Sequence, residues 1–191
     1  FTSALYMRLG DCVRGNKEKQ IINAAINVFS KKGFDISNVD EIASAARVSK
    51  GTVFLYFKKK DELIKRVALL SVPYPEIISV NSKTYEDYKK LLNDFGNAFL
   101  DKYADKRMRD LFIMTMAKKG YYKIIEDQLK ELCFVEMDKM FSTVERLSGR
   151  PVHITVKKAF FGALLCYILW WGHNNIDPGK YVSDLVDNLF G

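Results

Sequence analysis

The chain has 191 residues, 48% of them hydrophobic and 28% charged, with a mean hydropathy of -0.12. That balance excludes a disordered chain and allows one or two domains with a sizeable core. The formal net charge is +7, and its placement excludes an evenly basic surface. Residues 1–72 hold 13 Lys+Arg against 7 Asp+Glu, whereas the remaining 119 hold 17 against 16. The basic excess therefore sits in the first third, where it could neutralise phosphates.

Residues 1–16 show weak periodicity around Gly10 and Gly15 and read as an arm or an extension of the first helix. They lack the basic start and continuous apolar core of a signal peptide. Position 1 is Phe, not an initiator Met, so nothing is inferred from it. From Lys17 to Lys32, Ile22, Ala25 and Phe29 form a helical stripe widened by Ile21, Ala24 and Val28. Gly33 is placed to stop that helix, and Phe34 to plug the core beneath it.

The segment Asn38 to Phe57, NVDEIASAARVSKGTVFLYF, reads as two short helices joined by a tight turn. Asn38 is a helix N-cap, and Glu41 three residues on completes a capping box. Ile42, Ala43 and Ala46 make the apolar face of the first helix. Ser49 is a second N-cap, and Val53 with Phe57 forms the inward side of the second helix. Lys50, Thr52, Phe54 and Tyr56 are then left pointing out, as a groove-reading helix requires. An ordinary helical hairpin with a wet outer face fits the same pattern.

Lys58, Lys59 and Lys60 follow, then Asp61 and Glu62 at the acidic start of another helix. Leu63, Val67 and Leu70 are its buried stripe, and Pro73 and Pro75 end it. The domain boundary is accordingly expected near Val72, giving domains 1–72 and 73–191. Helical spacing recurs in Tyr85–Tyr103 (Tyr88, Leu91, Leu92, Phe95, Phe99) and in Arg107–Lys118 (Met108, Leu111, Phe112, Met116). Tyr121–Leu147 reads as one long amphipathic helix, broken by Gly149, Arg150 and Pro151. Val152–Trp171 is apolar almost all round, Pro178 ends the next turn, and a last helix spans about Tyr181–Phe190. No strand alternation stands out, so the fold class expected is all-α.

Ala159, Gly162, Ala163 and Cys166 make a small-residue seam, with Phe160, Leu164, Tyr167 and Trp171 on a second face. The apolar run Ala159–Trp171 falls short of the roughly 20 residues that span a bilayer, so no membrane partner is expected. Cys12, Cys133 and Cys166 are odd in number and widely spaced, which fits neither a disulfide framework nor a zinc site. A reducing cytoplasm is the simple expectation. His153 and His173 lie at the two ends of the apolar helix, too few and too far apart for a familiar metal pattern. No nucleophile, phosphate loop or cofactor motif appears, so no catalytic residue, metal or cofactor is assigned and an enzyme is not expected. Cys133 reads as a small core residue.

The stretch Lys19–Val67, through Ala25, Phe29, Gly33-Phe34, Ile42-Ala43, Val48-Ser49-Lys50-Gly51-Thr52, Tyr56-Phe57-Lys58 and Lys60 before Glu62-Leu63, closely resembles the DNA-binding domain of TetR-family transcriptional regulators. The resemblance covers about a quarter of the chain. It implies an N-terminal three-helix helix-turn-helix DNA-binding domain and a C-terminal helical ligand-binding and dimerisation domain. It also implies repression at a palindromic operator on double-stranded DNA, relieved by a small-molecule inducer. On that resemblance the DNA-binding set is Asn38, Arg47, Ser49, Lys50, Gly51, Thr52, Phe54, Tyr56 and Lys60. A homodimer through the last two helices would use the seam of Ala159, Gly162, Ala163 and Cys166. The family's inducer cavity falls in the aromatic- and Met-rich stretch, with Phe99, Tyr103, Phe112, Met116, Phe134 and Met137 as its expected lining.

Two departures matter. Arg47 stands where the family's turn normally has Gly, and a left-handed backbone there costs a residue with a Cβ about 1 kcal/mol. Phe54 stands where the outward aromatic is usually Tyr, which removes one phosphate-bonding hydroxyl. Two other readings remain: a regulator that only dimerises, and a helical enzyme or carrier that keeps the helix-turn-helix as scaffold.

Overall fold

In the computed structural model, residues 16–120, 122–171 and 176–191 are described, and none of them is in a strand. The chain divides into two compact units after Ala68. The prolines draw the expected boundary slightly later, at 72.

In the first unit, α1 (Asn16–Lys32) stops where Gly33 takes a left-handed φ of 89°. Helices α2 (Val39–Ala45) and α3 (Lys50–Tyr56) follow, then α4 (Lys60–Ser71), which runs through the division between units. Ile21, Ala25, Phe29, Phe34, Ile42, Val53 and Leu63 are buried together as the core. Phe34 does plug it, edge-on to Phe29 with ring centroids 5.2 Å apart. The Gln20 amide donates to the Ala46 carbonyl at 2.7 Å, which ties α1 to the end of α2.

The second unit holds α5 (Tyr74–Asn81), α6 (Tyr88–Ala104), α7 (Lys106–Lys118) and α8 (Lys123–Gln128). Beyond these come α9 (Val135–Ser148), α10 (Ile154–Cys166) and α11 (Pro178–Phe190). Helix α5 is not expected from the sequence pattern. Pro73 and Pro75 do close α4, but Pro75 also sits in the first turn of α5, where a missing N–H costs nothing. Pro178 likewise opens α11 instead of ending a turn. The single long helix expected over Tyr121–Leu147 is interrupted: α8 and α9 are joined by a π-type turn, Leu129–Phe134. A second π-type turn, Tyr167–Trp171, extends α10. Tyr85, expected inside a helix, is buried ahead of α6 and donates its hydroxyl to Asp94 at 3.0 Å.

Helix α6 is the axis of this unit. Phe95 is fully buried against Phe99, Phe160 and Phe161, and Phe160 also meets Phe141 and Phe190. Gly96 lets α11 approach: a Cβ there would stand 2.5 Å from a Val182 methyl. The α4–α5 junction is fixed by polar groups. Tyr103 donates to the Ser71 carbonyl at 2.7 Å, Lys102 to the Val72 carbonyl at 2.7 Å and to Glu76 at 2.8 Å, and the Ser71 and Thr115 hydroxyls meet at 2.9 Å.

Candidate nucleic-acid interface

The helix-turn-helix is assembled from local hydrogen bonds. Asn38 (φ −120°, ψ 163°) accepts the Glu41 N–H at 2.8 Å, and the Glu41 carboxylate takes the Asn38 N–H at 3.5 Å, closing the capping box. Glu41 also pairs with Lys32 at 2.6 Å, and that hydrogen bond first of all holds its carboxyl below the usual range. Helix α2 then ends in a Schellman motif: Val48 donates to the Ala43 carbonyl and Arg47 to the Ser44 carbonyl, both at 3.0 Å. The motif needs a left-handed residue at Arg47, whose φ is 51°, the one positive value outside glycine among the described residues. Ser49 caps α3, accepting the Thr52 N–H at 3.0 Å and exchanging a hydrogen bond with its hydroxyl at 2.8 Å.

Helix α3 turns Val53 inward, with Phe57 behind it, both buried. Lys50, Gly51, Phe54 and Tyr56 are exposed and Thr52 is half-buried. Several of the expected contact residues already have partners within the chain. Lys50 pairs with Asp40 of α2 at 2.8 Å, and Lys60 donates to the Asp35 carbonyl at 3.2 Å. Asn38 is occupied as a cap, and the Thr52 hydroxyl by Ser49. Two large apolar side chains outside the motif-based set are also exposed on this unit, Leu55 at 80% and Ile36 at 79%. A period-3.6 projection that places Val53 at the bottom of α3 puts Leu55 at the top, so the chain does carry a signal for Leu55.

In the second unit, a cavity of about 200 Å³ is lined by Phe99, Phe112, Met116, Phe134 and Met137 together with Val72, Pro73, Lys119, Leu129, Cys133, Phe161 and Leu165. Five of the six expected lining residues thus come together. Tyr103 does not: it lies off this cavity, fully buried, its hydroxyl spent on Ser71. Burial pushes the Cys133 thiol up to about 12, so it stays protonated, an inert wall residue. Burial pushes Lys102 down, against the pull of Glu76.

The seam residues Ala159 and Gly162 are exposed, and Ala163 and Cys166 half-buried. A Cβ added at Gly162 would meet nothing within 4 Å. Phe160, Leu164 and Tyr167 face inward instead, while the Trp171 side chain lies outside the described residues. His153 caps α10, its Nδ1 accepting the Thr155 N–H at 3.3 Å, and His173 lies outside the described residues. Among the described residues there is no cluster of three His, Cys, Asp or Glu that could hold a metal, and no helix long and apolar enough to cross a membrane.

A capped short helix, a left-handed turn and a second helix held outward on a three-helix core define a helix-turn-helix protein. Residues 21–67 match the profile described as "Bacterial regulatory proteins, tetR family". The uncharacterised HTH-type transcriptional regulator YuxN of Bacillus subtilis is 36% identical over 163 residues, 80% of this chain and 51% of YuxN. The chain thus spans about half the length of that relative. The negative transcriptional regulator IcaR of the Staphylococcus epidermidis biofilm operon icaADBC is 23% identical over 157 residues, 80% of each chain. The fold matches the fatty acid degradation regulator FadR of Bacillus halodurans with a TM-score of 0.68 at 22% identity, over 93% of this chain and 96% of that one. It also matches FadR of B. subtilis, solved in complex with stearoyl-CoA, with a TM-score of 0.64 at 20% identity, over 90% and 96%. The chain belongs to the TetR family.

Proposed function

We propose that the protein is a cytoplasmic transcriptional repressor that binds a palindromic operator as a homodimer and leaves it when a small hydrophobic or aromatic molecule fills the cavity. The observation that carries this reading is helix α3, capped by Ser49 and held outward by buried Val53. In this reading Lys50 and Thr52 approach base edges at the start of α3, and Gly51 lets the backbone come close. Lys60, Arg47, Ser49, Asn38 and Tyr56 hold the phosphate backbone, and Phe54 packs beside it without a hydroxyl to offer. The ion pair with Asp40 means that Lys50 exchanges one carboxylate for DNA on binding, which trims its net gain. Ala159, Gly162, Ala163 and Cys166 form the centre of the dimer contact, and the exposure of Ala159 and Gly162 in the single chain supports that role.

The cavity supports the inducer part. Its walls are apolar apart from Lys119 and the Cys133 thiol, and an acyl-CoA ligand in a fold neighbour is in keeping with a greasy occupant. Val72 and Pro73, in the bend between α4 and α5, belong to that wall, so an occupant would press on the segment that follows α4. Light scattering tests the dimer: an obligate interface buries over about 2,000 Å², and Gly162→Trp should give monomer or aggregate. A monodisperse wild-type monomer at micromolar concentration overturns it. Specific binding to a duplex from upstream of the protein's own gene separates a regulator from a helical enzyme or carrier that keeps the motif as scaffold.

A further inference from the structure

We propose that Leu55 reads a thymine methyl group in the major groove and sets specificity at that base pair, an inference that rests on α3 being the reading helix. With about 100° per residue around α3 and Leu55 as zero, buried Val53 lies about 160° away, Gly51 about 40° to one side and Thr52 about 60° to the other. Lys50 lies about 140° away by the same count, exposed at the N-terminal end of α3, and is paired with Asp40. The outermost point of the helix is therefore an apolar side chain, 80% exposed, and not a charged one. Nothing crowds it: beside it, a Cβ at Gly51 would meet only the Ser49 hydroxyl oxygen, at 3.7 Å.

Leucine has no donor or acceptor. Of the features that base pairs display in the major groove, the thymine 5-methyl is the one an aliphatic side chain matches. The surroundings supply the rest of a DNA site, since residues 1–72 carry 13 basic against 7 acidic residues. The basic excess brings the duplex in without regard to sequence. An apolar centre then penalises every polar base edge set against it and rewards a methyl. The occupant is thus a thymine-bearing step of double-stranded DNA.

The test uses the full chain and a duplex selected by it from a random-sequence pool. Each thymine is replaced in turn by deoxyuridine, which deletes only the methyl, and affinity is measured by fluorescence anisotropy at fixed salt. At one thymine or more the wild type should lose about fourfold, the worth of burying one methyl group. Leu55→Ala should bind the thymine duplex weaker by a similar factor and show no further loss at that position, while Leu55→Met keeps the sensitivity. Unchanged melting temperatures establish that both variants fold. A preferred duplex in which no deoxyuridine effect depends on Leu55 overturns this inference and leaves the operator reading standing. A pool that yields no preferred duplex overturns both.

Discussion

The two units achieve order by opposite means. The first relies on helices α2 and α3 of seven residues each, too short to persist alone. They are fixed by two caps, a Schellman turn and a small core under them. The second relies on long helices and a run of phenylalanines around α6, with an unfilled space at one side of that core. The difference teaches where each can change. A surface set by backbone hydrogen bonds is rigid and presents side chains at fixed positions. A packed core with a cavity and two π-type turns can repack around an occupant.

Phe95 tests this contrast most severely. Phe95→Ala should cost about 3–5 kcal/mol in urea unfolding, because it empties the centre of the aromatic cluster. A loss near that of a surface substitution would mean that the core of the second unit is elsewhere. Occupying the cavity comes next: a hydrophobic ligand at a hundred times its Kd should stabilise the protein by about 2.7 kcal/mol. It should weaken operator binding at the same time, because coupling requires unequal affinity for the two states. Ligands that raise the melting temperature and leave operator affinity untouched break the link between the units.

The first unit should respond to backbone chemistry. Asn38→Ala removes the cap of α2 and should cost about 1 kcal/mol with no change in the second unit's near-ultraviolet signal. The smallest effect is at Arg47. With φ at 51°, Arg47→Gly should stabilise by about 0.5–1 kcal/mol, and it should weaken DNA binding slightly if the guanidinium reaches a phosphate. A lower melting temperature for this variant contradicts the left-handed turn.

The same contrast explains what is legible in the sequence. A capping box, a second N-cap and a glycine stop are written within a few consecutive residues, so the roles of Asn38, Ser49 and Gly33 follow from local pattern, whereas the left-handed turn at Arg47 is expected only through the family resemblance. In the second unit the decisive contacts join residues far apart in the chain, such as Phe95 with Phe160, and local pattern does not carry them. The resemblance, applied to the aromatic-rich stretch, finds five cavity residues but misplaces Tyr103, which lies one turn beyond Phe99 on the same face of α6, its ring packed on Phe99 and Phe112 and its hydroxyl bound to Ser71. Helix α5 is hidden by its own prolines, which serve as a stop for one helix and a start for the next. The partners of Lys50 and Lys60 are out of reach of local pattern for the same reason, lying 10 and 25 residues away.

The central claim is that α3 reads sequence, and a specificity ratio measures it directly. Dissociation constants of the wild-type chain should be determined across a salt series on its selected duplex and on a scrambled duplex of equal composition. A reading helix should give a ratio of about a thousand or more, with both affinities falling steeply as salt rises. A ratio near one at every salt concentration would contradict the account and leave the helix-turn-helix as scaffold.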